Sequence, residues 1–526
     1  MTQPHTKFRR MRWAVPSIAL VGALVITTGG LSSAAPATSN SPWYPSLSSF
    51  EHYDSARSHV FSRAYFGGST SEKNAVTSSN SATDLYPSGF NMVYKDASHA
   101  YILGGGYGQL PGSIGAFVDQ VDPVTLASVW HTQLMDITVT PALWDYPGVM
   151  GMLSDGNLYV SYSHYLAKID PSDGHVIASL DLPVNVDADP NNAAYNGFNA
   201  TADGLLVFKS GYRAYGCTEQ GPPALAKCPA NPTAATPTTI GWVPPSELVT
   251  VDPISMTVLH QVTLLHPAGA RATITRFQGK NYAYLIEGFG PCQGIRYEVG
   301  SDGSLTLDPT WTAPVTQDAG QTTNTSFVAM KDWVATANNS YKTTVPMSVT
   351  AISQADSTKS VSLKPFANDT PDPWLVANLG GATSMVGASL SSDASSNLLF
   401  VFDTVPRKLA ALRLSVNGPT PKLTTVWKKT QTTTEFTMLI GDAHHRVLVS
   451  TDIPANEVPT QNANGMAVWR DAATGRELAR SAVIPTMTQG SMIQPFYNGD
   501  LMWEGQLGTL YRLSPRKAHE KNDKRK

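Results

Sequence analysis

Eight times between residues 88 and 515 a short apolar run is followed by a tight polar turn and a second apolar run. The turns are Lys95-Asp96-Ala97-Ser98, Ser154-Asp155-Gly156-Asn157, Ala202-Asp203-Gly204, Gln278-Gly279-Lys280, Lys331-Asp332, Ser392-Asp393-Ala394, Gly441-Asp442-Ala443 and Tyr497-Asn498-Gly499-Asp500. Successive turns are separated by 48 to 76 residues, counted from Asp96, Asp155, Asp203, Gly279, Asp332, Asp393, Asp442 and Asn498. Each such unit must bury its faces against the next one, so strand pairs at this period constrain the chain to a ring of sheets. The expected fold is all-β: an eight-bladed β-propeller of four-stranded antiparallel blades over residues 88–515. Seven blades with an extra terminal hairpin is the alternative.

The second unit reads most clearly. Val149–Leu153, Asn157–Tyr162, Tyr165–Asp170 and His175–Leu182 alternate with period two and are separated by the Asp155-Gly156 turn, a short loop at Ser163-His164 and the turn Pro171-Ser172-Asp173-Gly174, which defines strands A to D. The last unit has strands A (Met492–Phe496), B (Leu501–Glu504) and C (Thr509–Leu513), and then the chain turns into the basic tail Arg516–Lys526. An uncovered blade edge invites aggregation. The N-terminal segment, residues 38–87, is therefore expected to close the ring with an outer strand drawn from Tyr44–Phe66.

A second element recurs where strand C turns into strand D. It reads Val121-Asp122-Pro123-Val124-Thr125-Leu126, Val251-Asp252-Pro253-Ile254-Ser255-Met256 and Asp471-Ala472-Ala473-Thr474-Gly475-Arg476-Glu477-Leu478. This Asp-x-x-Thr-Gly-x-x-Leu element resembles the repeats of the quinoprotein-like propellers, whose founding members are pyrroloquinoline-quinone alcohol dehydrogenases. The resemblance implies tryptophan-docked blades, a role for which Trp130, Trp311, Trp427 and Trp469 are placed. It also implies looking for vicinal cysteines, calcium-binding carboxylates and a catalytic aspartate. The chain has no Cys-Cys pair and no Cys-x-x-Cys-His motif. No cofactor is therefore expected; pyrroloquinoline quinone with calcium is the alternative, with Asp145 or Glu435 in the carboxylate roles.

Residues 1–37 read as a signal peptide. Lys7, Arg9, Arg10 and Arg12 precede the apolar run Ala14–Thr28, and Ala35-Pro36-Ala37 offers a cleavage site after Ala37. The alternative is an uncleaved anchor over Ala14–Leu31. The expected location is secreted or cell-envelope associated, with no other membrane contact. Three cysteines in an oxidising compartment suggest one disulfide, Cys217–Cys228, with a bond from the insertion to Cys292 as the other pairing considered. A formal net charge of −3 gives no field that would attract nucleic acid.

The A–B turns are short, whereas the B–C and D–A loops are long and lie on the opposite face, where binding is expected. The longest, Arg213–Ser246, contains Cys217, Cys228 and seven prolines and reads as a stiffened lid. Residues at the starts of the innermost strands and in the B–C loops should ring the channel mouth. The acid–base and anchoring candidates are Asp145, Arg271, Glu287 and Glu435; the ligand-binding candidates are His164, Asn196, Asn324 and Glu504. Tyr146, Tyr195, Ser384, Asp403 and Gln489 belong to the same rim. The run Asn185-x-Asp187-x-Asp189-x-Asn191 alternates oxygen ligands, but Pro190 stands where a calcium loop needs glycine, so it reads as an Asx-rich turn. No metal site is expected. The functional expectation is an exported binding or scaffolding propeller for a small polar ligand or an extracellular protein. The alternative is a secreted enzyme, a divergent quinoprotein-like oxidoreductase or a hydrolase or lyase, acting on a small polar substrate.

Overall fold

Each of the eight turns joins the two innermost strands of one blade in the computed structural model. The structure describes residues 41–82, 89–105, 114–140, 143–144, 147–212, 244–269, 271–288, 291–318, 321–322, 325–340, 345–378, 390–418, 420–434, 437–457, 463–486, 492–505 and 508–518. Blade 1 comprises Asn91–Asp96, His99–Gly104, Phe117–Val121 and Ser128–Gln133; blade 2, Pro147–Met152, Leu158–Tyr162, Tyr165–Ile169 and Val176–Asp181. Blade 3 comprises Ala193–Ala200, Leu206–Tyr212, Glu247–Asp252 and Thr257–Thr263; blade 4, Thr273–Phe277, Lys280–Glu287, Gln293–Val299 and Leu305–Pro314. Blade 5 comprises Val328–Met330, Trp333–Ala337, Val349–Ser353 and Ser360–Leu363; blade 6, Ser391–Asp393, Leu398–Asp403, Lys408–Ser415 and Lys422–Thr430. Blade 7 comprises Met438–Ile440, Val447–Asp452, Asn464–Asp471 and Glu477–Arg480. Blade 8 has Ile493–Pro495, Leu501–Glu504 and Leu510–Arg516 from the C-terminal end of the ring and Ala75–Ala82 from the N-terminal side. The fold is an eight-bladed propeller, not the seven-bladed alternative.

Middle strands such as Leu158–Tyr162 and Leu398–Asp403 are buried along their whole length, because both faces meet neighbouring blades. Outer strands such as Val176–Asp181 alternate between exposed and half-buried residues. Docking turns join the blades. The Trp130 ring of blade 1 lies against Gly174 in the C–D turn of blade 2, where a Cβ would approach the ring to 2.5 Å. Gly174 also has φ +80°, so the turn requires glycine for both shape and space. The indole Nε1 of Trp311 donates to the Ser353 carbonyl (3.0 Å), and that of Trp427 to the Ala472 carbonyl (2.9 Å), each in the next blade. Trp469 instead lies on an inner strand of blade 7, in a buried cluster shared with blades 8 and 1, and packs near Phe66. The Asp of the C–D turn fixes the bend: Asp122 Oδ1 accepts from the amides of Val124 (2.7 Å) and Thr125 (2.8 Å), and Asp471 Oδ1 accepts from Thr474 N (2.9 Å).

The ring closes as expected in kind but not in place. Ala75–Ala82 pairs antiparallel with Leu510–Arg516, from Ala75 opposite Arg516 to Ala82 opposite Leu510. Tyr44–Phe66 does not supply the outer strand. That segment occupies the central channel, where it covers a different set of strand edges.

Candidate functional site

The innermost strand of every blade turns an edge toward the axis, and its N–H groups need acceptors. Here the N-terminal segment supplies them. Amides of Tyr94 in blade 1 and Met152 in blade 2 donate to the carbonyls of Ser48 and Ser49, both at 2.8 Å. Those of Ile274, Ala329, Ser392 and Leu439, in blades 4 to 7, donate to the carbonyls of Ser55, Ala56, Ser58 and His59 at 2.8–3.0 Å. Blade 3 contributes through Ala200 N to Ser55 Oγ (3.1 Å), and blade 8 through Gln494 Nε2 to the Glu51 carbonyl (3.3 Å). One stretch, residues 48–59, thus bonds to all eight blades.

The segment enters from the face of the A–B turns, where Ser154 N donates to the Pro42 carbonyl (2.8 Å). Trp43 and Phe50 stack with centroids 4.1 Å apart against Gly151, where a Cβ would lie 2.9 Å from Trp43 and 3.1 Å from Phe50. It leaves on the same face. Val60 and Phe61 pair parallel with Leu439 and Ile440, and Gly441 N donates to the Ala64 carbonyl (2.8 Å).

Its tip carries a charged cluster. Glu51, His52, Arg57, His59 and Arg271 are 0, 0, 4, 2 and 8% exposed. Arg271, at the start of the innermost strand of blade 4, reaches across the axis: Nη1 donates to Glu51 Oε1, Nε to the Asn196 carbonyl, and Nη2 to the Gly148 carbonyl (3.3 Å). Its guanidinium also lies over Phe90, 5.5 Å from the ring centroid. Arg57 Nη1 is 3.6 Å from the same Glu51 oxygen, and Arg57 Nη2 is 2.7 Å from His52 Nε2. His52 stacks on His59 at 4.2 Å, and His59 Nδ1 is 2.8 Å from the Thr437 carbonyl, which makes Nδ1–H the donor. Burial, reinforced by neighbouring cations, holds both imidazoles well below the ordinary histidine range. Burial also pushes the Arg57 guanidinium down to about 9 and, with Arg271 nearby, Lys209 of blade 3 down to about 7.

Among the described residues expected at the channel mouth, Arg271 and Asn196 come together. Glu287 is committed within its own blade, where its Oε2 accepts from Gln293 Nε2 (2.8 Å). His164 sits in the tight B–C turn of blade 2, its ring tilted against Tyr165 at 4.2 Å with Asp181 of the outer strand 3.6 Å away, contacts internal to the blade. Glu504 is buried beside Gly89 with neither carboxylate oxygen hydrogen-bonded, and burial raises it well above the ordinary carboxylate range. Asp403 is buried at the same rim and pushed up to about 7, burial being the main cause. Asp145, Asn324 and Glu435 lie outside the described residues, as do Cys217, Cys228 and most of the insertion. The Asn185 run is an Asx-rich turn: Asn185 Oδ1 accepts from Asp187 N and Asp189 Oδ1 from Asn191 N, both at 2.9 Å. The sequence reading missed Glu51, His52, Arg57 and His59, because it assigned their segment to the rim of blade 8.

No family model and no curated protein sequence matches the chain. Among solved structures it is similar to the quinohemoprotein alcohol dehydrogenase of Comamonas testosteroni, with TM-score 0.54 and 9% identity over 88% of this chain and 80% of that one. It is likewise similar to quinohemoprotein alcohol dehydrogenase ADHIIG of Pseudomonas putida HK5, with TM-score 0.55 and 9% identity over 90% and 80% of the two chains. BamB of Moraxella catarrhalis aligns with TM-score 0.45 and 9% identity over 84% of this chain and 99% of that one. The likeness is one of fold: this chain is an eight-bladed propeller that resembles the quinoprotein alcohol-dehydrogenase-like ring, with its own N-terminal segment along the axis.

Proposed function

We propose that this chain is an exported binding or scaffolding propeller that meets its partner, a small polar ligand or an extracellular protein, on the face of the B–C and D–A loops. The observation that carries this reading is the filled axis: residues 48–59 occupy the channel and bond to all eight innermost strands. Pyrroloquinoline quinone with calcium would need an axial slot and ionised carboxylates. The described residues do not fit it, since Glu51 is shared by two arginines, Glu287 is held by Gln293, and burial without a hydrogen-bond partner disfavours the ionised form of Glu504. For the enzyme alternative, two of the four acid–base candidates, Arg271 and Glu287, are already engaged in such contacts. Export rests on the basic and apolar leader; cleavage after Ala37 would leave four residues, Thr38 to Ser41, before Pro42, whose carbonyl is bonded to the ring.

The test is a thermal-shift screen of the chain from Thr38, with pyrroloquinoline quinone plus calcium, divalent metals and cell-wall sugars. A ligand of the folded state raises the melting temperature by mass action. The reading expects no rise with quinone and calcium and no dye-linked alcohol oxidation; either response would overturn it.

A further inference from the structure

We propose that the tip of the axial segment is an acid-sensitive latch, in which protonation of the stacked pair His52 and His59 releases residues 51–59 from the channel while the rest of the ring stays folded. The inference rests on the channel geometry and is independent of the partner proposed above. The tip holds two guanidinium groups, Arg57 of the segment and Arg271 of blade 4, around one carboxylate, Glu51. Asp54 lies further along the segment, bound to Ser58 N (3.0 Å) and Ser58 Oγ (2.7 Å), and Lys209 of blade 3 adds a cation within Coulombic reach of Arg271. From blade 7 the Thr437 carbonyl already takes the His59 Nδ1 proton, so an added proton goes to His59 Nε2.

His52 is the more sensitive of the pair. Its Nε2 lies 2.7 Å from Arg57 Nη2, which can only donate, and 2.8 Å from Glu51 Oε1, which can only accept while ionised. A neutral Nε2 accepts from Arg57. A proton on Nε2 turns that contact into two opposed donors and makes His52 a third claimant, with Arg57 and Arg271, on one Glu51 oxygen. Two protonated rings 4.2 Å apart would also repel each other in a site that excludes water. Below the ordinary histidine range the released segment binds two protons that the seated one does not, so acid favours release. The seat on either side is built differently. Trp43 and Phe50 stack on Gly151, and Val60–Phe61 pairs with blade 7, with no titratable group in either contact. Movement is thereby confined to the tip.

Hydrogen–deuterium exchange on the whole mature chain tests the latch. Seating protects the amides of Ile274, Ala329, Ser392 and Leu439, which donate to Ser55, Ala56, Ser58 and His59. Their protection, corrected for intrinsic exchange, should fall at least about tenfold between roughly pH 7.5 and pH 5. Protection of mid-blade amides such as Leu248 and Ala410 should hold. In the double variant His52→Gln, His59→Asn, which keeps an acceptor and a donor in place, the four axial amides should lose no protection over that range. Unchanged wild-type protection, a parallel loss at Leu248 and Ala410, or an equal loss in the double variant would each overturn the proposal. If that variant does not fold, Glu51→Gln serves instead: it removes the central anion and should move the wild-type transition to higher pH, and a transition left in place counts against the latch.

Discussion

Replacing Glu51 by Gln is the sharpest test of whether the axial segment is an integral part of the ring. The substitution preserves shape and removes only the charge. In the wild type one Glu51 oxygen accepts from Arg271 and lies 3.6 Å from Arg57 and 2.8 Å from His52, all at most 8% exposed. Without the carboxylate, two buried guanidiniums face each other. Breaking one partner out of a buried ion pair costs about 3–5 kcal/mol. Unfolding entropy of about 2 cal/mol/K per residue makes 1 kcal/mol worth about 1 °C for a ring of this size. A drop in melting temperature of about 3–5 °C is expected in differential scanning fluorimetry at neutral pH. Adding Arg271→Met to Glu51→Gln should recover part of that loss, because it removes one uncompensated cation, and the coupling between the two sites should exceed about 1 kcal/mol. A shift under about 1 °C for Glu51→Gln, or strict additivity in the pair, would refute the reasoning and place the tip outside the cooperative unit.

Other substitutions probe the parts separately. Gly151→Val should destabilise the ring by about 1–3 kcal/mol, read by urea titration, because a Cβ there meets Trp43 at 2.9 Å; an unchanged midpoint would mean that the aromatic pair is not seated. Trp311→Ala should cost about 3–5 kcal/mol in the same titration, since the ring is 1% exposed and its Nε1 bonds to Ser353 of the next blade. Asp403 is raised to about 7 by burial, so the folded state keeps a proton that the unfolded chain loses near pH 4. Its contribution is present at low pH and is lost as pH rises from about 4 to about 7. Asp403→Asn should therefore gain stability relative to wild type across that window, by up to about 4 kcal/mol, and a pH-independent difference would contradict the assignment.

The repeated A–B turns place all eight blades, because glycine and aspartate at a tight bend are required by the backbone and leave a mark in the sequence. The docking tryptophans were legible for the same reason, being large groups at fixed places in a period. The axial segment was not. It binds through its carbonyl groups, which every residue offers, so Ser48, Ser49, Ser55, Ala56 and Ser58 carry no pattern that marks a channel filler. The closing strand hid in a similar way. Ala75-Val76-Thr77-Ser78-Ser79-Asn80-Ser81-Ala82 lacks the apolar alternation of a half-buried strand, because it lies on the outer rim of blade 8 and its partner is an edge rather than a core. The sequence puts Arg271 at the channel mouth but does not show that its partner is Glu51, 220 residues earlier. Polar residues at strand ends, such as His164 and Glu287, make contacts within their own blades.

The pairing of Ala75–Ala82 with Leu510–Arg516 has a consequence for synthesis. The first strand of the closing blade is made more than 400 residues before its partner. Until the last turn of the ring emerges, one end of the chain carries an unpaired strand and the other an exposed edge. Folding of this propeller is therefore end-loaded. A chain that stalls or is clipped before residue 510 has nothing to cover either edge, and two such chains can satisfy each other instead. Late truncation should thus be far more harmful than its few missing residues suggest, producing intermolecular strand exchange and aggregation rather than a slightly weakened monomer.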